Sequence, residues 1–199
     1  MPLPDSAPRE KLHHRSIQCE GFRRADGLWD IEAHLTDQRS YDCSYDPLHR
    51  GGLIRAGEFV HDMRVRLTLD LDFVIHAAVA VSDDTPFPVC SRAALAMQQL
   101  VGLRMGKGWL REARKRISTD ASCTHLMDLL NPLMATAYQT LHAALEERVR
   151  QQQSENKLDN QLVARKKPPI LDTCLALASD GEVVKRRWPE FYTGERDNG

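Results

Sequence analysis

Two runs with a period of two limit this chain more than any other feature in it. In "LWDIEAHLT" (28–36), Trp29, Ile31, Ala33 and Leu35 alternate with Asp30, Glu32, His34 and Thr36. In "MRVRLTLDL" (63–71), Met63, Val65, Leu67, Leu69 and Leu71 alternate with Arg64, Arg66, Thr68 and Asp70. Successive side chains of a strand point to opposite faces, so each run is a strand with one apolar and one polar face. Burial on a single face is the habit of antiparallel sheets. "IQCEGFRR" precedes the first run and ends at Asp26-Gly27, a hairpin turn dipeptide. "FVIHAAVAVS" follows the second as a more fully apolar strand. Setting the Asp30/Glu32 strand beside the Arg64/Arg66 strand gives both arginines cross-strand partners.

After "TPFPVC" the period changes. Residues 91 to 105 carry Ala94, Met97, Leu100, Val101 and Met105 at helical spacing, Gly106-Lys107-Gly108 breaks the pattern, and "WLREARKRI" makes a second short helix. From Ser122 onward, Leu126, Leu129, Leu130, Leu133, Ala137, Leu141, Ala144 and Leu145 form a long apolar stripe. Pro132 interrupts it. Asn131-Pro132 fits a short helix handing over to a long one, or a kink. Strands first and helices second predict an α+β domain, with helices packed on one face of an antiparallel sheet of about four strands.

The 199 residues suffice for one domain with a core plus an appendage. Residues 1–12 read as a disordered arm and 13–150 as the single α+β domain. Residues 151–169 read as helix end and linker. Residues 170–192, two apolar runs about Asp180-Gly181, read as a hairpin that docks on the domain or on a partner subunit, because a lone hairpin is not stable. Docking on a subunit rather than on the domain itself would imply a protein partner or a homo-oligomer. The formal net charge of -1 gives no field to attract nucleic acid or anionic lipid. The basic run "RMGKGWLREARKR" lacks a phosphate-loop frame, and its only aromatic, Trp109, falls on the apolar side with Leu110, Ala113 and Ile117. With no leader-like or membrane-spanning stretch and five scattered cysteines, the expected setting is the cytoplasm, with the thiols reduced.

Chemistry, where the sequence offers any, gathers at helix starts. Cys90 and Cys123 are each predicted at or just before a helix N-terminus, where free N–H groups and the helix dipole favour a thiolate. In Cys123-Thr124-His125, side chains two apart on a helix diverge by about 200°, so both face one ion only if Cys123 lies in the turn before the helix. Cys90 supplies a third ligand, and His61 of "GEFVHDM" or Cys174 a fourth. Cys90, Cys123, His125 and His61 are thus the expected metal set, for zinc or an iron–sulfur cluster, in a non-enzymatic metal- or sulfur-binding protein. No CxxC or HxxxH spacing reinforces it. Two alternatives stand beside it. One is a protein-interaction or ligand-binding domain with structural cysteines. The other is a thiol enzyme using Cys123 with His125 or His61, oriented by Asp62 or Asp128. A cluster of His34 with Asp70 or His76 competes with a salt-bridged strand face.

"DGLWDIEAHLTD", "GEFVHDM", "CTHLMDLL" and "LDTCLALASDGEVV…WP" resemble a bacterial family of domains of unknown function over roughly residues 15 to 190. That resemblance implies no activity. The order of a strand pair, Cys90 opening a helix, "LVGLRMGKGWLREARKRI" and Cys123 opening the last helix is similar to NifU-like iron–sulfur scaffold proteins, with a NifU/SufE-like order of elements. Those proteins pair His-Cys where this chain has Cys123-Thr124-His125. Cys43 in "YDCSYDP" stands nearest to their first cysteine.

Overall fold

The computed structural model of the protein describes residues 3–156, 167–168 and 170–194. It divides into two compact units, Met1–Gln152 and Gln153–Gly199. Residues 3–12 carry no regular secondary structure and are exposed. The first unit is α+β. Strands β1 (His13–Arg23), β2 (Trp29–Arg39), β5 (Phe59–Leu69) and β6 (Ile75–Asp84) form one antiparallel sheet in the order β1-β2-β5-β6. Two short strands, β3 (Cys43–Ser44) and β4 (Leu53–Ile54), pair within the β2–β5 connection. Gly27, at φ 85°, turns β1 into β2 as the Asp-Gly dipeptide predicts.

Alternation decides what the sheet buries. Ile31, Leu35, Met63, Leu67 and Leu69 are fully enclosed, whereas Glu32 and Arg66 lie opposite each other on the other face, with Arg66 Nε 2.7 Å from Glu32. Arg64, opposite His34 in register, is paired with Asp83 and Asp62. The helices α1 (Ala93–Ala96), α2 (Trp109–Arg116), α3 (Thr124–Asp128) and α4 (Leu130–Asn156) follow. Trp109, Ala113, Leu126, Leu129, Leu130, Leu133, Ala137 and Leu141 join the sheet residues in one core. On α4 the buried positions 130, 133, 137 and 141 are three or four apart, one stripe of a helix. Pro132 lies in its first turn, where a missing N–H costs nothing, so the short α3 hands over to the long α4. At the edge strand, a Cβ on Gly21 would overlap the Thr140 side chain, so glycine lets α4 cross β1 at close range.

Two expectations need correction. The apolar spacing from 91 to 105 is not one helix: α1 passes into a 3₁₀ turn, Met97–Leu100, and ends there. Gly102 adopts φ 81°, and the chain then runs beside the start of β6, with Ile75 N donating to Leu103 O (2.9 Å) and Met105 N to Phe73 O (2.9 Å). Leu103 and Met105 are buried from this extended path, so their apolar character was compatible with either conformation. Residues 170–192 are not a hairpin either. They hold a 3₁₀ turn (Leu175–Leu177), the helix α5 (Glu182–Arg187) and a second 3₁₀ turn (Pro189–Phe191). Glu182 in the first turn and Lys185, Arg186 and Arg187 in the last complement the helix dipole, and Val184 is the buried anchor. Within this second unit the Asp172 carboxylate holds Ser179 N (2.8 Å), Ser179 Oγ (2.7 Å) and Lys167 Nζ (2.6 Å). Most of the linker expected over 151–169 lies outside the described residues. Among the described residues, no helix is long and apolar enough to cross a membrane.

Candidate metal centre

The period of two does not stop where the hydrocarbon does. Past Leu35 the next inward position of β2 is Asp37, 3% exposed, and before Met63 the next inward position of β5 is His61. Antiparallel register sets Asp37 opposite His61 on one side and opposite Arg15 of β1 on the other. A polar row, Arg15–Asp37–His61, therefore caps the buried face of the sheet. The fourth member comes from α3. Cys123 is its N-cap in extended conformation (φ -112°, ψ 128°), and Leu126, fully buried, anchors the turn. His125 then lies against His61, ring centroids 3.7 Å apart and planes tilted by 31°.

The Asp37 carboxylate organises these groups. Oδ1 accepts from Arg15 Nε at 2.9 Å and lies 2.9 Å from His13 Nε2; Oδ2 accepts from Arg15 Nη2 at 2.9 Å. Oδ2 also lies 3.1 Å from His61 Nδ1 and 3.7 Å from His125 Nε2. Burial by itself would raise this carboxyl, but the hydrogen bonds and charge of Arg15, with His13 and His61, overcome it and hold the group at about 2. Burial, then the neighbouring His125, lowers His61 to about 4 despite Asp37. Burial, then Arg15, lowers His125 as well. At neutral pH the site thus holds an ionised carboxylate and two neutral imidazoles, the protonation states in which these groups bind metal.

Asp37, His61 and His125 each offer a ligand atom, all within 4.8 Å of one another. Donors at about 2.1 Å from a common ion lie roughly 3 to 4 Å apart, so only small side-chain movements separate this arrangement from a coordination sphere. The three donors border a cavity of about 280 Å³ lined also by His13, Arg15, Arg39, Tyr41 and Val60. Three protein ligands and an open side are the pattern of a metal that keeps a position for water or another ligand.

The expected residues divide unevenly around this centre. His61 and His125 meet in it. Cys123 lies in the pre-helical turn that sharing His125 requires, its Sγ 3.7 Å from His125 Nδ1, the ring nitrogen opposite the one facing Asp37. Cys90 sits inside a 3₁₀ turn (Pro88–Arg92) rather than at a helix mouth, and burial, then the proximity of Cys123, raises its thiol, the reverse of activation. Neither cysteine belongs to the three-donor group. Cys43 is buried and takes a hydrogen bond from Arg39, and Cys174 is exposed in the second unit. His34 pairs with Asp62 (2.7 Å, partly buried) and His76 with Asp70 (2.8 Å, exposed), two separate pairs. Asp37 and Arg15 went unnoticed in the sequence. The signal for Asp37 was present: the alternation of β2, carried one step beyond Leu35, puts an acid on the buried face.

No match was found among curated proteins or among solved structures. Residues 13–139, which contain Arg15, Asp37, His61, Cys90, Cys123 and His125, match the family described as protein of unknown function (DUF2889), and the chain belongs to that family.

Proposed function

We propose that this protein binds a divalent transition-metal ion on Asp37, His61 and His125. The observation that carries the reading is convergence: three donors from β2, β5 and α3 lie within 4.8 Å beside an open cavity. One carboxylate oxygen and two imidazole nitrogens suit zinc and its neighbours in the first transition row. They do not suit an iron–sulfur cluster, whose irons are held by thiolates. Arg15 grips Asp37 through two N–H donors and orients it, the role outer-sphere partners play around metal ligands. Cys123 steadies His125 from its other ring nitrogen, and Cys90 is not a ligand in this reading.

Zinc titration of chelator-stripped protein, followed calorimetrically, tests it. About one ion per chain is expected, with binding weakened about tenfold or more by Asp37→Ala, His61→Ala or His125→Ala and only a few-fold by Cys123→Ser. Loss of binding in Cys123→Ser with retention in Asp37→Ala would move the ion to the sulfur side of His125. Binding weaker than about 100 μM in the unaltered protein would remove the metal altogether.

A further inference from the structure

The same cavity has a charge balance that the three donors do not explain. Among the described residues Asp37 is the one acidic group lining it, against the guanidinium groups of Arg15 and Arg39. Arg15 is matched by Asp37 and, at 3.6 Å, by Asp128 outside the lining. Arg39, half-buried at the end of β2, is paired with no acidic side chain among the described residues. Its Nη1 donates to Cys43 Sγ at 3.1 Å, and its guanidinium lies 5.7 Å from the Tyr41 ring and 5.8 Å from the Tyr45 ring. These contacts hold the group in place without neutralising it. A divalent ion on Asp37, His61 and His125 would add two further positive charges beside Arg39.

We infer that the cavity takes a small organic carboxylate, held by Arg39 and reaching toward the open side of the metal position. The inference rests on reading this cavity as the functional site, and its anchor is Arg39. A guanidinium with one nitrogen engaged keeps N–H donors that match the two oxygens of a carboxylate. The remaining walls suit a hydrocarbon body: Val60 is buried, and Tyr41 presents a ring. A volume of about 280 Å³ falls near the lower end of small-molecule sites, roughly 300 to 1,000 Å³, so the ligand is small. A phosphate dianion fits less well, because one free guanidinium in the metal-free site matches a single negative charge.

Calorimetric titrations with butyrate, benzoate and inorganic phosphate at constant ionic strength test this on chelator-treated and zinc-loaded protein. Butyrate or benzoate should bind the metal-free protein more tightly than phosphate. Arg39→Gln should weaken that binding about tenfold or more, with Arg39→Lys, which keeps the charge but loses the fork, in between. Thermal melts of both variants verify that they fold. Carboxylate binding that survives in a protein unable to hold zinc sinks the metal reading and leaves this one intact. Zinc binding with no carboxylate affinity below about 10 mM overturns this inference alone. Equal carboxylate affinity in Arg39→Gln and the unaltered protein, or tighter binding of phosphate, overturns it too.

Discussion

Replacing Asp37 by asparagine keeps the shape of the side chain and removes its charge, which isolates what the carboxylate contributes to folding. The side chain is 4% exposed and engages Arg15 twice, His13 once and His61 once. Those partners favour the ionised form enough to hold the group at about 2, against 3.8 for an unperturbed aspartate. At about 1.4 kcal/mol per pH unit, the charged form is favoured in the folded state by about 2 to 3 kcal/mol. Asp37→Asn should therefore cost about that much at pH 7 in metal-free protein, a fall in Tm of about 4 to 12 °C for a chain of this size. The pH dependence gives the sign. A carboxyl lowered by folding contributes stability that is complete above about pH 4 and is lost as pH falls toward 2. The gap between the two proteins, measured by urea unfolding with circular dichroism, should stay constant from pH 7 to pH 5 and shrink below pH 4. A cost under about 0.5 kcal/mol at pH 7, the range of an ordinary surface change, would refute the claim that this carboxylate organises the site.

His61 works in the same direction on the pH axis but in a higher window. Its folded value of about 4 lies below the unperturbed 6.5, so the unfolded chain takes up the proton first. The metal-free protein should lose about 3 kcal/mol as pH falls from about 6.5 to 4, and His61→Gln should flatten that slope in urea titrations; an unchanged slope would place the titration elsewhere. Gly21→Ala should destabilise by about 1 to 3 kcal/mol, because the new methyl meets Thr140 on α4. Thr140→Ala should relieve part of that cost, and a double-mutant cycle showing no coupling would contradict the close crossing of α4 over β1.

Much of the architecture was legible because period and register are local properties. The alternation about Ile31 and Val65 specified two strands and their inward faces, and the option of setting those strands side by side fits Arg66, 2.7 Å from Glu32, but not Arg64, which pairs with Asp62 and Asp83. The extended path of residues 102–105 was not legible, since Leu103 and Met105 are buried whether the backbone is helical or extended. Over 182–187 the charge order suits a helix whereas Asp180-Gly181 suits a hairpin turn, and the two signals conflict within a few residues.

The centre divides along the same line. From sequence alone came His61 and His125 as metal-ligating candidates and Cys123 as a residue of the pre-helical turn, because residue chemistry and helix punctuation are written in short segments. Tertiary structure alone decided that the Asp37 carboxylate lies within 4.8 Å of donor atoms of both imidazoles and that Cys90 falls outside that group. Which side chains converge depends on strand register and on the placement of α3 against the sheet, and both are set by burial of residues far apart in the chain.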